Sequence, residues 1–231
     1  QLEALAALAT YHFEHPEDPF PRVDATSKHL IGYDMGHPLM PAEQFVTNSI
    51  TFDEGRRIFI VSGSNMSGKS TFLRTVGVNV VLAMAARTVR ARGMELCPMA
   101  IGSSLKIADS LAGGVSKFYA EISRLRIILN LTEQPLPLLF LIDEIFQGTN
   151  SHDRQQGAQA VIIELLRRGA MGMLTTHDLA LARIPETYKS AMQNVHFSDT
   201  LVQGELHFDY SLKEGVVHKS NAIELMRSVG L

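Results

Sequence analysis

Residues 58–77 read IFIVSGSNMSGKSTFLRTVG. An apolar run, Ile58 to Val61, meets a loop holding two glycines, a lysine and two hydroxyls, after which helical periodicity resumes. A short run that is apolar on both faces suits a buried parallel strand. Residues Gly63 to Ser70 fit G-x-x-x-x-G-K-[ST], a loop in which successive backbone N–H groups face a phosphate with no side chain in the way. Gly63 and Gly68 permit that approach, Lys69 reaches the β- and γ-phosphates, and Ser70 offers its hydroxyl to Mg2+. The positive N-terminal end of the helix that starts near Lys69 adds to the attraction. A plain glycine turn with a solvated lysine is the alternative. The strand before and the helix after are the context that a phosphate loop requires, and they decide for nucleotide binding.

Working outward, strands are expected at Ile58 to Ser62, Leu138 to Ile142 and Met171 to Thr175, each short, apolar and followed by polar residues. Helical patterns lie between them at Lys69 to Ala86, Lys117 to Leu131 and Asp153 to Arg168. In the last, Ala158, Val161, Ile162, Leu165 and Leu166 form one stripe. Strands alternating with helices imply an α/β fold, a mainly parallel sheet flanked by helices on both faces. The later segments NVHFS and ELHFDYSL alternate more strictly and are expected as antiparallel strands at one edge. At the other end of the chain, Gln1 to Phe13 reads as a short helix, and HPEDPFPR, with three prolines in eight residues, must break it. Residues 1–28 are therefore expected as a helix and linker left from something upstream, and 29–231 as the nucleotide-binding domain.

A phosphate loop needs a metal partner and a group to activate water. LLFLIDE supplies both at the C-terminal end of a buried strand, where open α/β sheets bind ligands. Asp143 would hold Mg2+, directly or through water. Glu144 would polarise the attacking water as general base. His177, in MGMLTTHD, repeats the pattern of an apolar strand ending in polar residues. It suits a sensor of the γ-phosphate, or a histidine hydrogen-bonded at a strand end with Asp178 capping the next helix. Lys69, Glu144 and His177 are the candidate catalytic residues, with Ser70 and Asp143 the candidate metal ligands.

Bulk properties agree with a globular chain. Of its 231 residues, 45% are hydrophobic and 19% charged, with a formal net charge of −3. That balance argues against a surface dominated by nucleic-acid contacts. Arg87, Arg90 and Arg92 form the densest basic cluster, expected as a solvated helix end. The single cysteine, Cys97, excludes an internal disulfide framework and fits a reducing, cytoplasmic compartment. No apolar helix candidate is long enough to span a bilayer.

SGSNMSGKST, DSLAGGVSKFYAEISRL, FLIDEIFQGTNSHD and LTTHD, in this order and spacing, resemble the ATPase domain of the MutS mismatch-repair family. The resemblance covers about Gly36 to Leu231. Asn65 and Met66, and the GTNSHD tail after the acids, discriminate better than the phosphate loop itself. The family belongs to the ABC class of P-loop NTPases, which implies ATP and ADP as ligands with Mg2+. GHPL followed by FVTN resembles the family's stretch before the loop, and Asn48 matches an asparagine there; Phe45 would then lie against the adenine ring. The implied nucleotide-binding set is Phe45, Gly63, Asn65, Met66, Ser67, Gly68, Lys69, Ser70 and Thr71. Ser116 corresponds to the signature serine, reaching in trans the γ-phosphate held by the opposite subunit of a homodimer. It is also placed as a helix N-cap, and both roles can hold. Asn150 to Asp153 would lie at the dimer seam.

Three departures stand out. Gln147 replaces an arginine, Lys117 a threonine, and the chain ends at Leu231 without the family's C-terminal helix-turn-helix. No mismatch-reading domain is recognisable, and DEIFQGTNSHDR is worded more like MutS-related proteins that lack one. The expected function is an ATP-hydrolysing motor that works as a nucleotide-dependent dimer, coupled to DNA by other domains. A nucleotide-gated interaction module with little turnover is the second reading. A transporter ATPase is disfavoured by SNMSGKST and GTNSHD.

Overall fold

A computed structural model of the chain describes residues 2–41, 45–105, 117–146, 150–178, 180–202 and 205–217. Ser116 and Gln147 lie outside the described residues, as do the side chain of Lys117 and residues 218–231. The chain opens with α1 (Leu2–Glu14), β1 (Arg22–Val23), β2 (Leu30–Met35), β3 (Asn48–Phe52) and β4 (Ile58–Ser62). There follow α2 (Lys69–Met84), β5 (Gly93–Leu96), β6 (Ala100–Ser104), α3 (Lys117–Leu131) and β7 (Leu138–Asp143). The remainder is α4 (Ser151–Arg167), β8 (Met171–Thr176), α5 (Ile184–Thr187), β9 (Met192–His196), β10 (Asp199–Val202), β11 (Glu205–Phe208) and β12 (Lys213–Glu214).

Among the described residues the main sheet runs β12-β9-β4-β8-β7-β6. All its pairings are parallel except that of β12 with β9. Every residue of β4, β7 and β8 is buried. The reason is visible in where alternate side chains go, since successive residues of a strand face opposite sides. Phe59 and Val61 of β4 join Leu139 and Leu141 of β7 in one core, packed with Phe72, Leu73, Val76 and Val80 of α2. Ile58 and Ile60 join Leu138, Phe140 and Ile142 in the other, packed with Ala158, Ile162 and Leu165 of α4. A strand between two helical layers has no solvated face, so it reads as a continuous apolar run.

Two expectations need correction. NVHFS is antiparallel on one side only: β9 pairs antiparallel with the two-residue β12 at the sheet edge, but lies parallel to β4 on its other side. ELHFDYSL supplies β11, which pairs antiparallel with β10 in a separate hairpin. Nor is the basic cluster solvated throughout, although Arg92 is 70% exposed. Arg90 is nearly buried, its side chain 12% exposed and paired with Asp18, and Arg92 is paired with Asp34 at 2.6 Å.

A second sheet, unforeseen, runs β1-β5-β2-β3 and covers the first core from the N-terminal side. Its strand β1 comes from the proline-rich segment, which pairs parallel with β5 at Arg22–Glu95 and Val23–Leu96. That segment is docked, with Asp18 buried and Val89 N–H donating to Pro19 O at 3.0 Å. Helix α1 itself has no buried residue and leaves Leu2, Leu5 and Phe13 exposed. No helix among the described residues is long and apolar enough to cross a membrane.

Candidate functional site

Strand β4 ends at Ser62, and the chain turns through Gly63 (φ 146°), Met66 (φ 66°) and Gly68 (φ 102°) before α2 begins at Lys69. Side chains rarely tolerate such angles, so glycine serves at the two ends of the loop. Space matters as well, because a Cβ on Gly63 would lie 2.7 Å from Phe197 O and 2.9 Å from Ser67 Oγ. No side chain caps α2, which leaves its first-turn N–H groups to an external acceptor. Ser67 is buried and donates to Ser64 O at 2.9 Å, holding the loop closed on itself. Asn65 and Met66 stand at the exposed tip, and Thr71 faces outward in the first turn of the helix.

Lys69 is 5% exposed, and its Nζ donates to Gly63 O at 2.9 Å and Ser64 O at 2.6 Å. Burial lowers its pKa from the ordinary lysine value, while Glu144, Asp143 and Asp199 act in the opposite direction. A desolvated ammonium held by neutral carbonyls at the mouth of an amide-lined loop is suited to an anion.

The acids arrive on β7. Asp143 Oδ1 accepts from Ser70 Oγ at 2.9 Å and from Thr175 Oγ1 at 2.6 Å. Sheet register makes this possible, since Asp143 lies opposite Thr175 across the β7–β8 pair. The Thr175 hydroxyl also accepts the Glu144 N–H at 3.0 Å. Glu144 needs that support, because its φ is 53° and Phe146 follows at 57°; such strain costs on the order of 1–3 kcal/mol per residue and persists only where surroundings over-determine it. The Glu144 carboxylate is bonded in turn to His177 Nε2, two residues beyond Thr175. Lys69, Ser70, Asp143, Glu144 and His177 are thus brought to one place, at the C-terminal ends of β4, β7 and β8.

A cavity of about 370 Å³ opens on the other side of the loop. Ser67 to Phe72 line it, together with Phe45, Val46 and Tyr210. The size suits a small-molecule ligand, and Phe45 offers an aromatic face. Ser70 belongs to both the cavity and the acid cluster. Asn48 acts as a strut: its side chain donates to Tyr210 O at 2.9 Å and accepts from Leu212 N–H at 2.6 Å. This fixes Tyr210 beside Gly68, where an added Cβ would meet the ring at 3.2 Å.

Sequence reasoning missed Thr175 and Tyr210. Thr175 carried a usable signal, the doubled threonine of LTTHD on a strand beside the acids. Tyr210 carried none, since its place depends on how the chain returns after β11.

The residues present fit Mg2+. A hydroxyl and a carboxylate oxygen from Ser70 and Asp143 converge at 2.9 Å, and Mg2+ is characteristically held by one or two carboxylates together with phosphate oxygens. Among the described residues no group of three or more His, Cys, Asp or Glu forms a closed metal cage.

A family model described as MutS domain V matches residues 59–231. The chain belongs to the MutS family. The matched segment is its ATPase domain, a P-loop unit, and carries the loop, both acids and His177. The chain is 33% identical over 200 residues to "DNA mismatch repair protein MutS 2" of Halobacterium salinarum, covering 84% of this chain and 23% of that protein. It is 34% identical over 203 residues to "DNA mismatch repair protein MutS" of Thermotoga petrophila, covering 84% of this chain and 25% of that one. The chain spans about a quarter of the length of these curated relatives.

Proposed function

We propose that this MutS domain binds ATP and hydrolyses it to ADP and phosphate, within the ABC class of P-loop ATPases. One observation carries the reading: a single carboxylate oxygen of Asp143 accepts from Ser70 of the phosphate loop and from Thr175 of the strand bearing His177. The adenine lies against Phe45 and the phosphates follow the loop through Gly63, Asn65, Met66, Ser67 and Gly68 to the start of α2. Lys69 leaves its carbonyl partners for the β- and γ-phosphates. Ser70 and Asp143 would hold Mg2+, which would offset the charge of the phosphate oxygens. Glu144 takes a proton from the water that attacks the γ-phosphorus, and His177 holds the carboxylate in place and senses the γ-phosphate.

The family relationship supports a working dimer with Ser116 completing the partner's site, and coupling to DNA through domains beyond this chain. Steady-state phosphate release by Glu144→Gln should fall at least a hundredfold, a loss in the range of general-base removal, while ATP still binds. Unchanged turnover would remove Glu144 from the base role.

A second reading draws on the bond between Glu144 and His177. A base already engaged by its neighbour suits a nucleotide-gated module that turns over little until a partner rearranges it. Sedimentation with a non-hydrolysable ATP analogue, alongside phosphate release, separates the two: ATP-dependent dimers that hydrolyse favour the motor, and dimers without turnover favour the module.

A further inference from the structure

Asn79 sits at the middle of α2, fully buried, where an apolar residue would be ordinary. Its Oδ1 accepts the Arg90 N–H at 2.7 Å and its Nδ2 donates to Gly36 O at 3.0 Å. Gly36 N–H in turn donates to Arg90 O at 2.9 Å. Three chain segments are thereby pinned together beneath the cavity, one of them the helix that starts at Lys69.

Phe45 rests on this cluster. A Cβ on Gly36 would lie 2.2 Å from the Phe45 ring, so the ring packs directly on bare backbone. The Arg90 guanidinium lies over the ring, 5.7 Å from its centroid, within range of a cation–π contact. The same guanidinium reaches the opposite way. Arg90 Nη1 donates to Asp18 Oδ1 at 3.0 Å and Glu17 Oε1 at 3.1 Å and lies 3.2 Å from His15 Nδ1. Asp18 is only 5% exposed at its side chain and accepts from the Tyr11 hydroxyl of α1 at 2.7 Å. A nearly buried arginine therefore stands between the wall of the cavity and the last turn of α1.

We propose that Arg90 is a positioning residue: it holds Phe45 for the base of the nucleotide and ties base binding to the C-terminal turn of α1. The proposal rests on the ATP reading above and adds its coupling route. Binding a base against Phe45 fixes the ring, the ring fixes the guanidinium plane, and the guanidinium fixes Glu17 and Asp18. Lysine cannot replace this, since it keeps the charge but loses the planar face that lies over the ring.

The test compares ATP with inorganic tripolyphosphate, which engages the loop without a base, on the intact protein and its Arg90→Lys and Arg90→Met variants. Both variants should bind ATP about three- to tenfold more weakly, the scale of a lost ring contact, and bind tripolyphosphate as the wild type does. ATP, and not tripolyphosphate, should slow amide exchange at residues 11–18 in the wild type, a readout that needs no variant. ATP affinity unchanged in both variants, parallel loss of both ligands, or identical exchange with either ligand would each overturn the positioning role. A wild-type protein that binds neither ligand would instead remove the nucleotide reading on which the proposal rests.

Discussion

At the scale of single residues, one threonine joins the two acids. Thr175 orients Asp143 and supports the strained Glu144 through one hydroxyl. Thr175→Val keeps the shape and removes the hydroxyl. It should lower phosphate release about tenfold to a hundredfold, the usual effect of losing a group that orients catalytic ligands. ATP affinity measured alongside should change much less; equal turnover in the variant would show that strand geometry alone positions the acids. The residues of the loop and the acids were legible in the sequence because their spacing along the chain is fixed by a single strand–loop–helix or strand end. Thr175 was only hinted at by the doubled threonine, because its place beside Asp143 comes from sheet register with a strand more than thirty positions earlier. Arg90 was misread for a related reason: a charge near two other charges looks solvated until the chain brings an aspartate and an aromatic ring against it.

At the scale of elements, β4, β7 and β8 follow the sequence pattern closely, since each lies between two apolar layers and shows it in every residue. Strand β9 misled because residues at positions 193, 194 and 196 are only partly covered beside the two-residue β12. Partial exposure near a sheet edge produces the same alternation that an antiparallel strand does. The second sheet was hidden for another reason: β2 is interrupted by a register shift between Gly32 and Met35, with Asp34 at φ 48°. Helix α4 offers a test of local charge. Near its C terminus Glu164 bonds Arg167 and Arg168, with Arg167 the largest influence, and its carboxyl is pushed down to about 2. A carboxyl whose pKa is depressed on folding contributes stability above its unfolded value near 4.5 and loses it as pH falls toward 2. Glu164→Gln should therefore be slightly less stable at pH 7 in denaturant titrations, and the gap should close between about pH 4.5 and 2. A gap that stayed constant through that range would mean the ion pairs contribute nothing on folding. Solvent screening keeps the effect small.

At the scale of the whole molecule, one sheet places the phosphate loop, the acids and His177 at its C-terminal edge, while Met35 and Asn48 of the second sheet line the cavity beside the loop. The layout gives two outlets for a nucleotide-dependent signal. One is the acid cluster, continued by α4, whose first residues stand where the family resemblance places a dimer seam. The other is α1, joined to the cavity through Arg90. Both depend on the same claim, that the loop at Gly63 to Ser70 holds the phosphates of ATP. The most direct measurement is an equilibrium titration with ATP and Mg2+ of the wild type and Lys69→Ala, whose truncation removes the one cation buried in the loop. The wild type should saturate and the variant should lose most of its affinity; a wild type that fails to bind, or a variant that binds equally well, would contradict the claim.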